Sequence, residues 1–143
     1  MDSRTILGDF ERAFENLKEV LAVPARTDLE KAGCIQYFEF CFELAWKSVQ
    51  VVAGEAGLSE CNSPKACFRQ AFAQRWIDEE IVWLKILSDR NRMAHTYSAA
   101  DALQIYESLC RYLPAFESLL AALKTERREG PSEDQPKGGK RPA

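Results

Sequence analysis

Ile35-Gln36-Tyr37-Phe38-Glu39-Phe40-Cys41-Phe42-Glu43-Leu44-Ala45-Trp46-Lys47 is the stretch whose reading decides the fold. Ile35, Phe38, Phe42, Ala45 and Trp46 recur at three- and four-residue steps, and Val49 and Val52 continue the period, which is that of an α-helix. Tyr37, Phe40, Cys41 and Leu44 make the other sides apolar too. A helix of that kind belongs at the centre of a bundle or against a second subunit. It is predicted from near Asp28 to Ala53. Its polar residues, Gln36, Glu39, Glu43, Lys47 and Gln50, form one narrow ridge at helical steps. Two readings of the ridge stand side by side. It is either a solvated stripe with an exposed Glu43–Lys47 pair contributing a few tenths of a kcal/mol, or the lining of a groove that faces the histidine-bearing segment described below.

Working outward, Ile6, Leu7, Phe10, Phe14, Leu17, Val20 and Leu21 lie along one stripe of a predicted amphipathic helix over Ser3 to Leu21, which Pro24 stops. Beyond the central helix, Gly54 and Gly57 end it, and Ser63-Pro64 offers an N-cap followed by proline at the first helical position. The short helix that follows, to about Arg75, is expected to carry Ala66, Cys67, Ala71 and Phe72 inward. A fourth helix should begin with Asp78-Glu79-Glu80 in its first turn, where negative charge suits the dipole. Ile81, Leu84, Ile86 and Leu87 are its expected buried side, with Trp83 on the flank. Ser98-Ala99-Ala100-Asp101 resembles a capping box that restarts the chain as a fifth helix, which continues to about Lys124 and which Pro114 should kink or split. The reading is an all-α fold of four to five helices in one domain, residues 1–124. Residues 125–143, rich in Gly, Pro and charge, form an expected disordered tail.

Composition narrows the function. The chain has 143 residues and 46% hydrophobic content, enough for a real core. The formal net charge is −3; setting aside residues 125–143 leaves 14 basic and 18 acidic residues on the body. Such a body is not a general nucleic-acid binder, because nonspecific affinity needs many phosphate neutralisations. Any RNA or nucleotide contact must be local. Five cysteines without a C-x-x-C pair, and a single histidine, exclude a zinc site of the usual spacing, so buried free thiols in a reducing cytoplasm are expected. No signal core and no run of about eighteen apolar residues is present, so no membrane association is expected.

The single histidine, His95, lies in Arg90-Asn91-Arg92-Met93-Ala94-His95-Thr96-Tyr97, where cations, an amide and a phenol crowd together. Histidine titrates nearest neutrality and can shuttle a proton wherever a phosphate docks. Equally, a histidine at a helix C-terminus can simply cap the last carbonyls. On a helix Asn91 and His95 share a face, and Arg90 can reach the same site with its long side chain. Arginine would neutralise charge on a pentacovalent phosphorus while His95 moves the proton of a ribose 2′-hydroxyl or of the leaving 5′-oxygen. No metal or cofactor is needed. One histidine cannot easily be both acid and base, so a second copy across a dimer axis would help. Asp89 either holds one of the arginines or is a surface charge, and Tyr97 either packs or contacts ligand.

The block Ile35 to Lys47, with Ser63-Pro64-Lys65-Ala66 and Arg90-Asn91-(x)3-His95-Thr96-Tyr97, resembles the nucleotidyltransferase substrate-binding proteins of the HEPN superfamily over most of residues 3–124. The resemblance implies an antiparallel helical bundle that forms a homodimer and partners a minimal nucleotidyltransferase. In the related toxin–antitoxin pairs the HEPN member is a metal-independent endoribonuclease. Its Arg and His correspond to Arg90 and His95, with Asn91 at the polar position after the Arg. The nucleotidyltransferase silences it by transferring AMP to the tyrosine matching Tyr97. The family also includes members that only bind nucleotide or substrate, so a non-catalytic binding subunit is the second expectation.

Overall fold

In the computed structural model, residues 2–93 and 99–129 are described, and they form five helices: α1 (Ser3–Leu21), α2 (Asp28–Glu55), α3 (Pro64–Ala73), α4 (Glu80–Met93) and α5 (Ala99–Glu129). No strand occurs among the described residues. The chain is an all-helical antiparallel bundle in which α2 packs on α1, α5 and α3, α1 also meets α5, and α4 lies against α3 and α5. Helix α2 takes the central place through one broad buried face, Cys34, Phe38, Cys41, Phe42, Ala45, Val49 and Val52, while Phe40 on the opposite side is 49% exposed. Burial pushes the Cys41 thiol far above its usual range.

Local chemistry sets the helix starts. Asp2 caps α1 by accepting from the Thr5 N–H at 3.0 Å, which lowers its carboxyl pKa. Thr27 and Glu30 form a reciprocal capping box on α2, with Glu30 N–H donating to Thr27 Oγ1 at 3.0 Å and Thr27 N–H to Glu30 Oε1 at 3.3 Å. Ser63 caps α3 through the Ala66 N–H at 3.1 Å, with Pro64 at the first position as expected. After α2 the chain turns at Gly57, whose φ of 79° suits glycine, and Leu58 N–H closes the turn on Ala53 C=O at 2.9 Å.

Four sequence expectations change in three dimensions. In α3, Phe68 rather than Phe72 points inward: its ring lies 5.6 Å from Phe42 and 4.6 Å from Trp83, whereas Phe72, one turn further along, is 42% exposed. Helix α4 begins at Glu80, after Asp78 and Glu79, and it is rotated from the expected face. Ile86 is buried and Leu87 half-buried as expected, but Trp83 is buried with them while Ile81 and Leu84 are exposed. Apolar residues fall on every side of α4, so periodicity does not choose. The indole does, because it has the most area to bury and packs tilted on Phe68 and edge-on against Phe116.

Helix α5 is not split at Pro114. Pro114 and Cys110, four residues before it, are both exposed, so this stretch of α5 lies on the solvent side, where water can satisfy a carbonyl that lacks its N–H partner. The helix also runs to Glu129 rather than ending near Lys124, and Arg127 Nε donates to Ser3 Oγ at 3.0 Å, tying its last turns to the start of α1. The remainder of the expected tail, residues 130–143, lies outside the described residues. Finally, the cysteines are not all free. Cys61 and Cys67 are joined as a disulfide with Cα atoms 5.0 Å apart, because the turn capped by Ser63 folds the loop back on α3. Cys34 and Cys41 are free and buried, and Cys110 is free and exposed.

Candidate functional site

Arg90 occupies the last turn of α4, where cations suit the negative end of the dipole. Its side chain reaches across to α2. Nη2 donates to Glu43 Oε2 at 2.7 Å, and the guanidinium carbon lies 5.2 Å from the centre of the Phe42 ring. Glu43 is held in turn: its Oε1 accepts from the Trp46 indole N–H at 3.2 Å and lies 3.7 Å from Lys47 Nζ. The Glu43–Lys47 pair of the solvated-stripe reading is therefore present, and at half exposure of Lys47 it is worth a few tenths of a kcal/mol. The shorter contact of Glu43, however, is with Arg90.

The other end of the ridge lines a groove. Gln36 and Glu39, with Lys31 and Ile35, line a groove of about 400 Å³ whose far wall is Met93 at the end of α4 and Leu103 in the first turns of α5. Met93 is the last described residue before the 94–98 segment. Of the four residues singled out from the sequence, Arg90 and Asn91 are described. Arg90 turns toward α2 while Asn91 is exposed. His95 and Tyr97, and the expected capping residue Ser98, lie outside the described residues.

Asp89 is not a surface charge. It is buried, its carboxylate accepts from the Tyr112 hydroxyl at 2.5 Å, and it lies 3.4 Å from Arg92 Nη1. Burial, reinforced by the adjacent Asp89 carboxylate, pushes the Tyr112 phenol far above its ordinary pKa. Arg92 Nη2 also donates to Gln104 Oε1 at 3.1 Å and approaches Asp101 at 3.9 Å. The last turn of α4 is thereby fastened to the first turns of α5 on either side of residues 94–98. Asp89→Ala should remove about 3 kcal/mol of stability, since a hydrogen bond to a charged group is lost and a buried phenol is left without an acceptor. A urea unfolding midpoint reads this at unchanged slope. A loss below about 0.5 kcal/mol, the ordinary range of surface substitutions, would show that the network fastens nothing.

Glu43 is the residue that sequence reasoning undervalued. It was legible only as one member of the ridge, because its partner Arg90 is 47 residues away in sequence. Thr27 was also missed, although Thr27-Asp28-Leu29-Glu30 has the capping-box spacing. Among the described residues no group of three His, Cys, Asp or Glu side chains can hold a metal, and no helix is long and apolar enough to cross a membrane.

The sequence matches the family described as nucleotidyltransferase substrate binding protein like over residues 6–125. The chain belongs to that family. This nucleotidyltransferase substrate binding protein like chain is also similar in structure to two solved proteins. One, from Thermus thermophilus, is 31% identical with a TM-score of 0.74, covering 80% of this chain and 98% of its own. The other, from Haemophilus influenzae, is 25% identical with a TM-score of 0.71, covering 82% of this chain and 98% of its own. Its structure is described as revealing the fold of a substrate binding domain of a nucleotidyltransferase. No curated protein matches the chain. The matched region contains the α2 block, the Asp89 network and the whole Arg90 to Tyr97 segment, so the family likeness covers every candidate site residue.

Proposed function

We propose that this chain pairs with a minimal nucleotidyltransferase and acts as a metal-independent endoribonuclease, a toxin that its partner silences by transferring AMP to Tyr97. The observation that carries the reading is Arg90, a guanidinium held at 2.7 Å by Glu43 and backed by Phe42, placed in sequence directly ahead of Asn91, His95 and Tyr97. Preorganised cations aimed at developing charge contribute the largest share of many catalysed steps. In the reaction, the ribose 2′-oxygen gives its proton to an imidazole and bonds to phosphorus. The P–O5′ bond then breaks, and the departing oxygen takes a proton from a second imidazole. The products are a 2′,3′-cyclic phosphate and a 5′-hydroxyl. Two copies of His95 in a homodimer supply the base and the acid. Modification follows when the Tyr97 oxygen attacks the α-phosphorus of ATP and pyrophosphate leaves; the added AMP places bulk and negative charge over the cleft.

A second reading has its own support. The Glu43 carboxylate cancels part of the charge on Arg90, and the body is acidic, both of which weaken attraction for RNA. On that reading the chain is a non-catalytic subunit presenting a nucleotide or other substrate to the nucleotidyltransferase. Incubating the purified protein with single-stranded RNA in EDTA separates the two. Fragments ending in 2′,3′-cyclic phosphate are the expected result. Intact RNA, together with nucleotide binding and a stable complex with the transferase, would replace the ribonuclease with the adaptor.

A further inference from the structure

We infer that Glu43 is the positioning residue for Arg90, and that Phe42, Trp46 and Lys47 complete a seat that presents the guanidinium to a phosphate of bound nucleic acid. The inference rests on the reading of residues 90–97 as the phosphate-handling site, and it adds what orients the cation there.

A free arginine side chain samples many rotamers, whereas a productive site holds its groups to within about 0.5 Å. Here three restraints act together, the second of them on the carboxylate that grips Arg90. Glu43 Oε2 takes one N–H of Arg90 Nη2 at 2.7 Å. That carboxylate is itself prevented from swinging, because Oε1 is engaged by the Trp46 indole N–H at 3.2 Å and by Lys47 Nζ at 3.7 Å. Trp46 and Lys47 follow Glu43 by three and four residues, the spacing that brings them to the same helix face. The third restraint is the Phe42 ring beneath the guanidinium. That ring is fully buried and lies 6.4 Å from Phe38 and 5.6 Å from Phe68, so it is a fixed platform.

Arg90 is then gripped at one nitrogen and backed on one side, while its side chain is still 36% exposed. A guanidinium has five N–H donors, and the contact with Glu43 uses one of its nitrogens. Among the described residues no other carboxylate lies within 4.0 Å of Arg90. The remaining donors and the open side suit a phosphate, which arginine recognises through paired N–H groups. Within the α2 block, Phe42, Glu43, Trp46 and Lys47 thus share one task, which explains why that pattern stands far from Arg90 in sequence yet belongs with it.

Glu43 has two opposed effects on an anionic substrate, and they give the test its discrimination. It orders Arg90, which favours turnover, and its charge repels phosphate, which weakens binding. Glu43→Ala should lower kcat for single-stranded RNA by about 10- to 100-fold, the scale on which misplacing a group by an ångström acts, while KM stays level or falls. Glu43→Gln, whose amide oxygen still accepts from Arg90, should recover part of kcat. A residue that merely supports the fold would worsen both constants and would alter the melting profile. Order is read separately from the Arg90 Nε–H signal of 15N-labelled full-length protein: its order parameter should fall from about 0.8 in the wild type to below about 0.6 in Glu43→Ala. Unchanged kcat in a folded variant, or an Arg90 equally ordered without Glu43, overturns the inference. If the wild type leaves RNA intact, the ribonuclease reading falls by itself and the NMR comparison alone decides the positioning role. Should Glu43→Ala not fold, the same readings on Glu43→Gln decide it through a smaller shift of the same sign.

Discussion

His95→Ala should reduce cleavage of single-stranded RNA in EDTA by about 10²- to 10⁴-fold, the usual contribution of a positioned general acid or base. His95 is the only histidine of the chain, so no second imidazole in the same copy can take over the proton transfer. Its stability effect separates chemistry from structure. A histidine that serves only as a cap on a helix C-terminus contributes about 0.3–1 kcal/mol, and its removal would lower the melting midpoint while leaving any nuclease activity intact. The expected result is the reverse, with activity lost and the midpoint nearly unchanged. Cleavage that persists in the variant would remove His95 from the mechanism, and with it the reason for a second copy in the reaction. Modification gives a parallel check: incubation with ATP and the nucleotidyltransferase should add one AMP to the wild type and none to Tyr97→Phe.

The second large effect concerns the fold that holds the site. Phe116→Ala should cost about 3–5 kcal/mol, the range for truncating a buried phenylalanine. Phe116 is fully buried on α5, and its ring meets Phe10 of α1 at 6.5 Å, Phe38 of α2 at 6.1 Å and Trp83 of α4 at 5.5 Å. It is therefore the point where four helices join. All three contacts are edge-on or strongly inclined, the arrangement in which aromatic pairs add about 0.5–1.5 kcal/mol beyond burial. Domains of this kind are stable by only about 5–15 kcal/mol, so the variant should unfold at much lower urea and lose the docking of α4. Phe116→Leu, which keeps most of the volume, should cost far less. A loss below about 1.5 kcal/mol for the alanine variant would mean that the four helices do not meet on this ring.

The site and the core are connected through α4. Trp83 fixes the rotation of that helix against Phe68 and Phe116, and the same rotation turns Asp89 inward to Tyr112 and Arg90 across to Glu43. The expected face of α4, with Ile81 and Leu84 inside, would have been turned away from this arrangement. The exposure of Ile81 and Leu84 and the burial of Asp89, which makes it the holder of Arg92 rather than a surface charge, thus have a common origin. Both depended on which way α4 rolls, and over Ile81 to Leu87 its apolar residues fall on every side.

What the chain declares on its own is everything that depends on neighbours a few residues apart. The helical period of α1 and α2, the capping serine before Pro64, the central rank of the Ile35 to Lys47 helix and the Arg-Asn-(x)3-His-x-Tyr pattern are all encoded within a turn or two, because helix formation, capping and side-chain period are local interactions. The five-helix architecture was legible for that reason. Only the tertiary structure decided which face of α4 is buried, that Asp89 lies inside, that Cys61 pairs with Cys67 and that Glu43 grips Arg90. Those outcomes are contests between residues on different elements, settled by how much aromatic area each packing buries and by which charge finds a partner once water is excluded, and no local spacing records the result.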